Sequence, residues 1–177
     1  MKRIFILFLL IATFSVISAN AQIAKMTSVY TNTQTDCKAE SKVEADEVPF
    51  ICKEVGEFRL RIIPAGAQAE MLEIVNKEGE TVASLGNVGY GYTTTTKRML
   101  EWRLANGKPF AVIFRVFTYD EQKATDAGDN PYLLKYKTGE KLLVRGLTGY
   151  SQIDFEVDGK DKNANVKAQN LADSNFQ

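Results

Sequence analysis

Between residues 97 and 119, KRMLEWRLANGKPFAVIFRVFTY, apolar side chains recur at every second position on both sides of Asn106-Gly107. A period of two is the signature of a strand, and Asn-Gly between two β-favouring runs is the strongest short-range hairpin signal. Leu100, Trp102 and Leu104 share one face of the first strand. Phe110, Val112, Phe114 and Val116 share one face of the second. A two-residue turn would leave these sets on opposite faces of the ribbon. An odd loop, Ala105-Asn106-Gly107 with Gly107 as the left-handed bulge residue, brings them together and sets Trp102 near Phe110. The second strand also carries Ala111, Ile113 and Phe117 on its other face, interrupted by Arg115. The outer face of the 109–119 strand therefore needs a cover: a loop, a helix or another subunit, the last giving an oligomer.

The same reading extends along the chain. Ser28-Val29-Tyr30-Thr31 is a short first strand, and Phe58, Leu60 and Ile62 alternate with Glu57, Arg59 and Arg61 as a strand with one buried face. Met71–Val75 and Thr81–Leu85 flank the turn residues Asn76 to Glu80. Gly86-Asn87-Val88-Gly89-Tyr90-Gly91-Tyr92, with three glycines in six residues, reads as a loop or an irregular edge. Asp120 to Asn130 is a charged loop and Pro131 to Tyr136 a candidate strand. Leu142 to Arg145 and Gln152 to Val157 are further strands. Alanine and leucine between Asn163 and Asp173 predict a single C-terminal helix near 163–173. Its thin apolar stripe (Ala164, Ala168, Leu171) suits a cap on one face of a sheet. Eight or nine short strands with regular turn signals predict an all-β fold, an antiparallel β-sandwich or open barrel.

Composition sharpens this picture at three points. Lys2 and Arg3, the apolar run Ile4 to Ile17 and Ala19-Asn20-Ala21 form the pattern of a cleaved signal peptide over 1–21. The expected product is a single β-domain over 22–177, periplasmic or secreted, with no stable membrane insertion after cleavage. Without that segment the chain has 20 basic and 22 acidic residues, a net charge of −2 with no basic cluster, so nucleic acid is not an expected partner. Cys37 and Cys52 are the only cysteines, and in an exported protein such an isolated pair is read as a disulfide. Histidine is absent, which removes Ser-His and Cys-His nucleophile pairs and every metal site that needs imidazole.

Three stretches together, Cys52-Lys53-Glu54-Val55-Gly56-Glu57-Phe58-Arg59-Leu60, Glu101-Trp102-Arg103-Leu104 with Gly107-Lys108-Pro109, and Asn163-Ala164 with Leu171-Ala172-Asp173, resemble a family of small exported bacterial proteins with no assigned biochemical activity. The resemblance implies export and a single domain, and it brings no catalytic residues.

Motifs with chemistry are few. There is no phosphate loop, and Gly86 to Gly91 has the wrong spacing for GxGxxG. Asp161-Lys162-Asn163-Ala164-Asn165 opens like a calcium loop, but Val166 stands where the glycine is required and Ala172 where the bidentate acid is required. Asp161 or Asn163 is better read as a helix cap. Asp120, Glu121, Asp126 and Asp129 leave a loose calcium site open against a solvated loop. No cofactor and no other metal is expected. Glu70 and Glu73 fall on opposite faces of their strand, and Glu101 shares a face with Arg103 and lies near Arg115, an arrangement for an ion pair rather than an acid catalyst. No catalytic residue is assigned.

Aromatic residues carry the functional hint. Tyr90 and Tyr92 flank Gly91, and Tyr150 follows a similar glycine-bearing turn. Such rings suit stacking and hydrogen bonding to a sugar or peptide, or else fold back onto the edge of the core. The expected function is a non-enzymatic β-domain binding an envelope protein, peptide or cell-wall glycan. The alternatives are an enzyme inhibitor acting through a rigid loop and a carboxylate-dependent hydrolase.

Overall fold

The structure, a computed structural model, describes residues 24–40, 48–66, 69–89 and 99–176. The signal-peptide reading over 1–21 lies outside them. Among the described residues ten strands form two antiparallel five-stranded sheets, a sandwich with no closed barrel. The first sheet contains β1 (Met26–Asn32), β7 (Met99–Ala105), β8 (Lys108–Tyr119), β9 (Lys137–Gly146) and β10 (Asp154–Asp158), in the order β1-β7-β8-β9-β10. The second is a meander of β2 (Cys37–Ala39), β3 (Phe50–Cys52), β4 (Arg59–Pro64), β5 (Ala69–Val75) and β6 (Thr81–Gly89), paired in chain order.

The main core lies between the sheets. Leu60, Ile62, Leu72, Ile74 and Leu85 meet Leu100, Trp102, Val112, Phe114 and Leu143. The predicted alternation of the β4 stretch places Leu60 and Ile62 inward, with Phe58 buried just ahead of them. Cys37 and Cys52 stand opposite one another on β2 and β3 and form the disulfide. By the chain-entropy argument, closing a loop of this length contributes about 3 kcal/mol.

The hairpin β7–β8 corrects the expected register. Asn106 and Gly107 are a two-residue turn, with φ of 51° and 81°, the left-handed pair that such a turn demands. Ala105 pairs with Lys108 and Leu104 with Pro109, but Arg103 pairs with Ala111, so Phe110 is an extra residue in β8. The parity argument required one odd residue, and the fold places it in a bulge within the strand rather than in the loop. Pro109 gives the reason: it cannot donate to a ladder, and proline within a sheet is confined to edges and bulges. Trp102 therefore faces Val112, and Phe110 turns to the opposite side of the sheet.

That opposite side holds a second apolar layer. Helix α2 (Ala164–Ser174) lies across the outer face of the first sheet. Ala164, Ala168 and Ala172, spaced four apart, pack on Ala111, Ile113, Leu142, Val144 and Val157. The cover required by the 109–119 strand is thus a helix of the same chain. Alanines let the helix come close, and Asn163 precedes it in a left-handed conformation without a side-chain capping bond. The expected charged loop at 120–130 contains a short helix, α1 (Glu121–Asp126), because the Asp120 carboxylate accepts from the Lys123 amide at 3.0 Å. Pro131 to Tyr136 is not a strand but a turn ending in one 3-10 turn, Leu134–Tyr136.

Candidate functional site

Sheet pairing places Val29, Trp102, Val112, Arg145 and Asp154 in one cross-strand row on the inner face of the first sheet. Trp102 and Val112 are fully buried in the middle of that row. Arg145 and Asp154 lie at the β9–β10 end of that row, where β6 of the second sheet packs over β8 and β9 and helix α2 covers β10 only on the outer face. The uncovered end of the inner face is charged, as solvent contact requires.

A groove of about 480 Å³ opens there. Its floor is Lys141, Leu143, Arg145 and Glu156 of β9 and β10. One wall is the outer edge of β6 at Ser84 to Asn87, with which no strand among the described residues pairs. Tyr119, Glu121 and Tyr132 close one end.

Each part follows from local geometry. Lys141 donates to both Glu156 oxygens at 2.9 Å, and this bond, with Arg145 nearby, holds the Glu156 carboxyl below the ordinary carboxylate range. Arg145 commits one terminal nitrogen, Nη1, to the carbonyls of Val144 and Phe155 and to Asp154 at 2.8 Å. Its other, Nη2, has only a 3.6 Å ion pair with Glu156 among the described residues. Tyr119 and Tyr132 pack edge to face with centroids 5.6 Å apart. The Tyr119 hydroxyl is buried without a hydrogen-bond partner among the described residues. Burial raises the ionisation of both phenols above the ordinary tyrosine range, helped at Tyr119 by Tyr132 and at Tyr132 by Glu121. The Asn87 side chain beside Tyr132 opposes that rise.

The residues expected from the sequence fall in three places. Tyr90 and Tyr92 lie outside the described residues, but Gly86 and Asn87 of the same glycine-rich stretch form the groove wall. The described part of that stretch, Gly86 to Gly89, continues β6 in regular register with β5, just after a bulge in which Leu85 is an extra residue and Gly86 takes φ +75°. Tyr150 is elsewhere. It stacks on Phe176 at 5.3 Å and meets Phe110 edge to face at 5.7 Å, on the helix side of the first sheet. Its ring folds back on the core, and the structure does not bring it to the groove. Tyr119 and Tyr132, which the sequence reading passed over, supply the groove's aromatic pair. The signal for Tyr119 was its position at the end of a strand apolar on both faces; Tyr132 carried none.

The carboxylates are held by cations or structural contacts. Glu101, 8% exposed, accepts from Ser28 at 2.5 Å and Gln169 at 2.7 Å and pairs with Arg103 at 3.6 Å. Glu101 and Arg115 line a second hollow of about 380 Å³ beside α2, yet Arg115 pairs with Glu140 and bonds Asn165. Asp120 caps α1, Asp126 accepts from Gln122, and Asp129 accepts from Lys135 and Tyr136. Among the described residues there is no group of three or more Cys, Asp or Glu side chains that could hold a metal ion. No helix among them is long and apolar enough to cross a membrane.

Comparison with known protein families, curated proteins and solved structures finds no match for this chain.

Proposed function

We propose that this protein is an exported, non-enzymatic binding domain of the cell envelope, and that it engages a protein, peptide or glycan partner in the groove between its two sheets. One observation carries the reading. At the β9–β10 end the inner face of the first sheet forms a floor of mainly charged side chains, walled by a strand edge unpaired among the described residues and closed by two tyrosines. A surface that combines backbone donors and acceptors with a guanidinium whose Nη2 has only a long 3.6 Å ion pair among the described residues offers directional contacts to a polar ligand. The disulfide between β2 and β3 suits an oxidising compartment, which supports the export reading. The resemblance to small exported bacterial proteins points the same way.

The test is site-specific photo-crosslinking in the intact envelope. A photoreactive residue at Asn87, in the groove wall, should yield a discrete adduct that one at Lys77, in the β5–β6 turn, does not. Adducts that are the same at both positions, or absent from Asn87, would remove the groove as the site.

A further inference from the structure

We infer that the groove takes an extended peptide, which adds to the free edge of β6 as a sixth strand of the second sheet and places an acidic side chain on Arg145. The inference rests on the groove reading above and narrows it to one ligand class.

Three observations favour a strand over a sugar. First, β6 is the last strand of its sheet, and from Gly86 to Gly89 its ladder with β5 is regular, after the irregular pairing between Thr81 and Leu85. Among the described residues no strand pairs with its other side. Apart from the Gly86 amide, which donates to the Ser84 hydroxyl at 3.2 Å, the outward backbone groups there have no strand partner among the described residues, and such a row is what strand addition uses. Second, a sixth strand at the sheet spacing of about 4.8 Å would lie above β9 and β10, where the first sheet extends without a counterpart. Third, the tyrosine rings are already engaged. Tyr119 meets Tyr132 and Phe117 edge to face, and the Tyr132 Cβ lies only 2.7 Å from where a side chain on Gly89 would begin. Stacking on a sugar needs a free ring face, whereas strand addition needs only a free edge, and Tyr132 supplies its end stop.

The floor selects the side chain. Successive residues of an added strand point alternately away from and towards the first sheet. The cations lie deeper than the anions: the Arg145 side chain is 19% exposed and Lys141 34%, against 50% for Glu156 and 69% for Asp154. Nη2 of Arg145 has no partner closer than 3.6 Å among the described residues. A carboxylate on an inward-facing residue meets that nitrogen and passes inside the anionic rim.

The experiment pans a random phage-displayed peptide library on the disulfide-intact protein and resynthesises the enriched peptide with a single N-methyl group at each position in turn. Strand addition predicts that methylation at alternate residues weakens binding at least about tenfold while the intervening positions tolerate it, because neighbouring amides point to opposite sides. It also predicts an acidic residue in the peptide and at least about a tenfold loss with Arg145→Glu. If Arg145→Glu lowers the unfolding midpoint, Lys141→Glu on the same floor supplies the charge test. Peptides that bind with no alternation under N-methylation would overturn strand addition and leave the groove reading intact. Binding unchanged by both charge reversals would overturn the acidic assignment. Binding of isolated cell-wall glycan strands, with no peptide enriched, would overturn the inference but keep the groove reading. Failure of both ligands to bind, together with no Asn87 adduct, would remove both.

Discussion

The guanidinium of Arg103 on β7 meets the carboxylate of Asp173 near the end of α2 in a two-point bridge, Nε to Oδ1 at 2.9 Å and Nη2 to Oδ2 at 2.5 Å. Ser28 and Glu101 hold the rest of the guanidinium, and Gln169 of α2 bonds Glu101. Three alanines give a helix little apolar area to bury, so polar anchoring contributes more to seating α2 than it does in a leucine-rich interface.

Removing one side of that bridge should leave a charge buried against the sheet. Arg103→Ala is expected to cost about 3 kcal/mol, through loss of the ion pair and exposure of Glu101 to an uncompensated site. Replacing both Arg103 and Asp173 with apolar residues of similar volume should recover part of the loss. Denaturant unfolding of the single and double variants measures this; equal stability of Arg103→Ala and the parent would show that α2 does not depend on the bridge.

Trp102 donates its indole N–H to the Thr31 hydroxyl at 2.9 Å from a fully buried position. Its fluorescence should be that of an indole shielded from water, shifting to the red on unfolding. Trp102→Ala should cost about 3–5 kcal/mol, as expected for a packed aromatic. Trp102→Phe keeps most of the volume but orphans the Thr31 hydroxyl, and should cost about 1–3 kcal/mol. Chemical denaturation followed by circular dichroism tests both.

Gly146 ends β9 where the 147–150 turn folds directly over it. A methyl group there would overlap the Tyr150 carbonyl oxygen, and that oxygen belongs to a backbone held by the Tyr150-to-Leu147 and Ile153-to-Tyr150 hydrogen bonds. Gly146→Ala should destabilise by about 3 kcal/mol or more, because backbone cannot yield as a side-chain end does. At Gly149, where a left-handed φ of 86° is the constraint but space is open, Ala should cost only about 1–2 kcal/mol. Thermal melts of the two variants should rank in that order.

Tyr119 and Tyr132 should ionise above the ordinary tyrosine range in a spectrophotometric titration, since burial favours their neutral forms, and Tyr136 joins them because its hydroxyl is bonded to Asp129. Above the ordinary tyrosine value the unfolded chain releases protons that the folded groove retains. Stability contributed by this pair is therefore complete below that value and falls as pH rises through the folded values. Tyr119→Phe with Tyr132→Phe should shrink the late-titrating phase to the Tyr136 contribution and make the alkaline limb of the stability curve shallower.

Much of the scaffold was legible from alternation alone. Leu60 and Ile62, Leu100 and Trp102, and Val112 and Phe114 each declare a buried strand face, and a period of two admits no other reading of them. The cysteine pair, the Asn106-Gly107 turn and the need for a cover over Ala111 and Ile113 were equally local, because each follows from residue chemistry over a few positions. What alternation cannot state is which strand faces which. Parity demanded one odd residue in the central hairpin, but only the packing of Pro109 and Phe110 put it in β8, and that single displacement sent Phe110 to the helix side. The groove is non-local in the same sense. Lys141, Arg145 and Glu156 read as ordinary polar positions of two short strands, and they become a floor only because β6 is the last described strand of the second sheet. Tyr119 and Tyr132 meet only because the chain between them folds through α1 and a tight turn. Side-chain chemistry is written residue by residue, whereas the offset of one sheet over another is set by the whole core, and the candidate site lies in that offset.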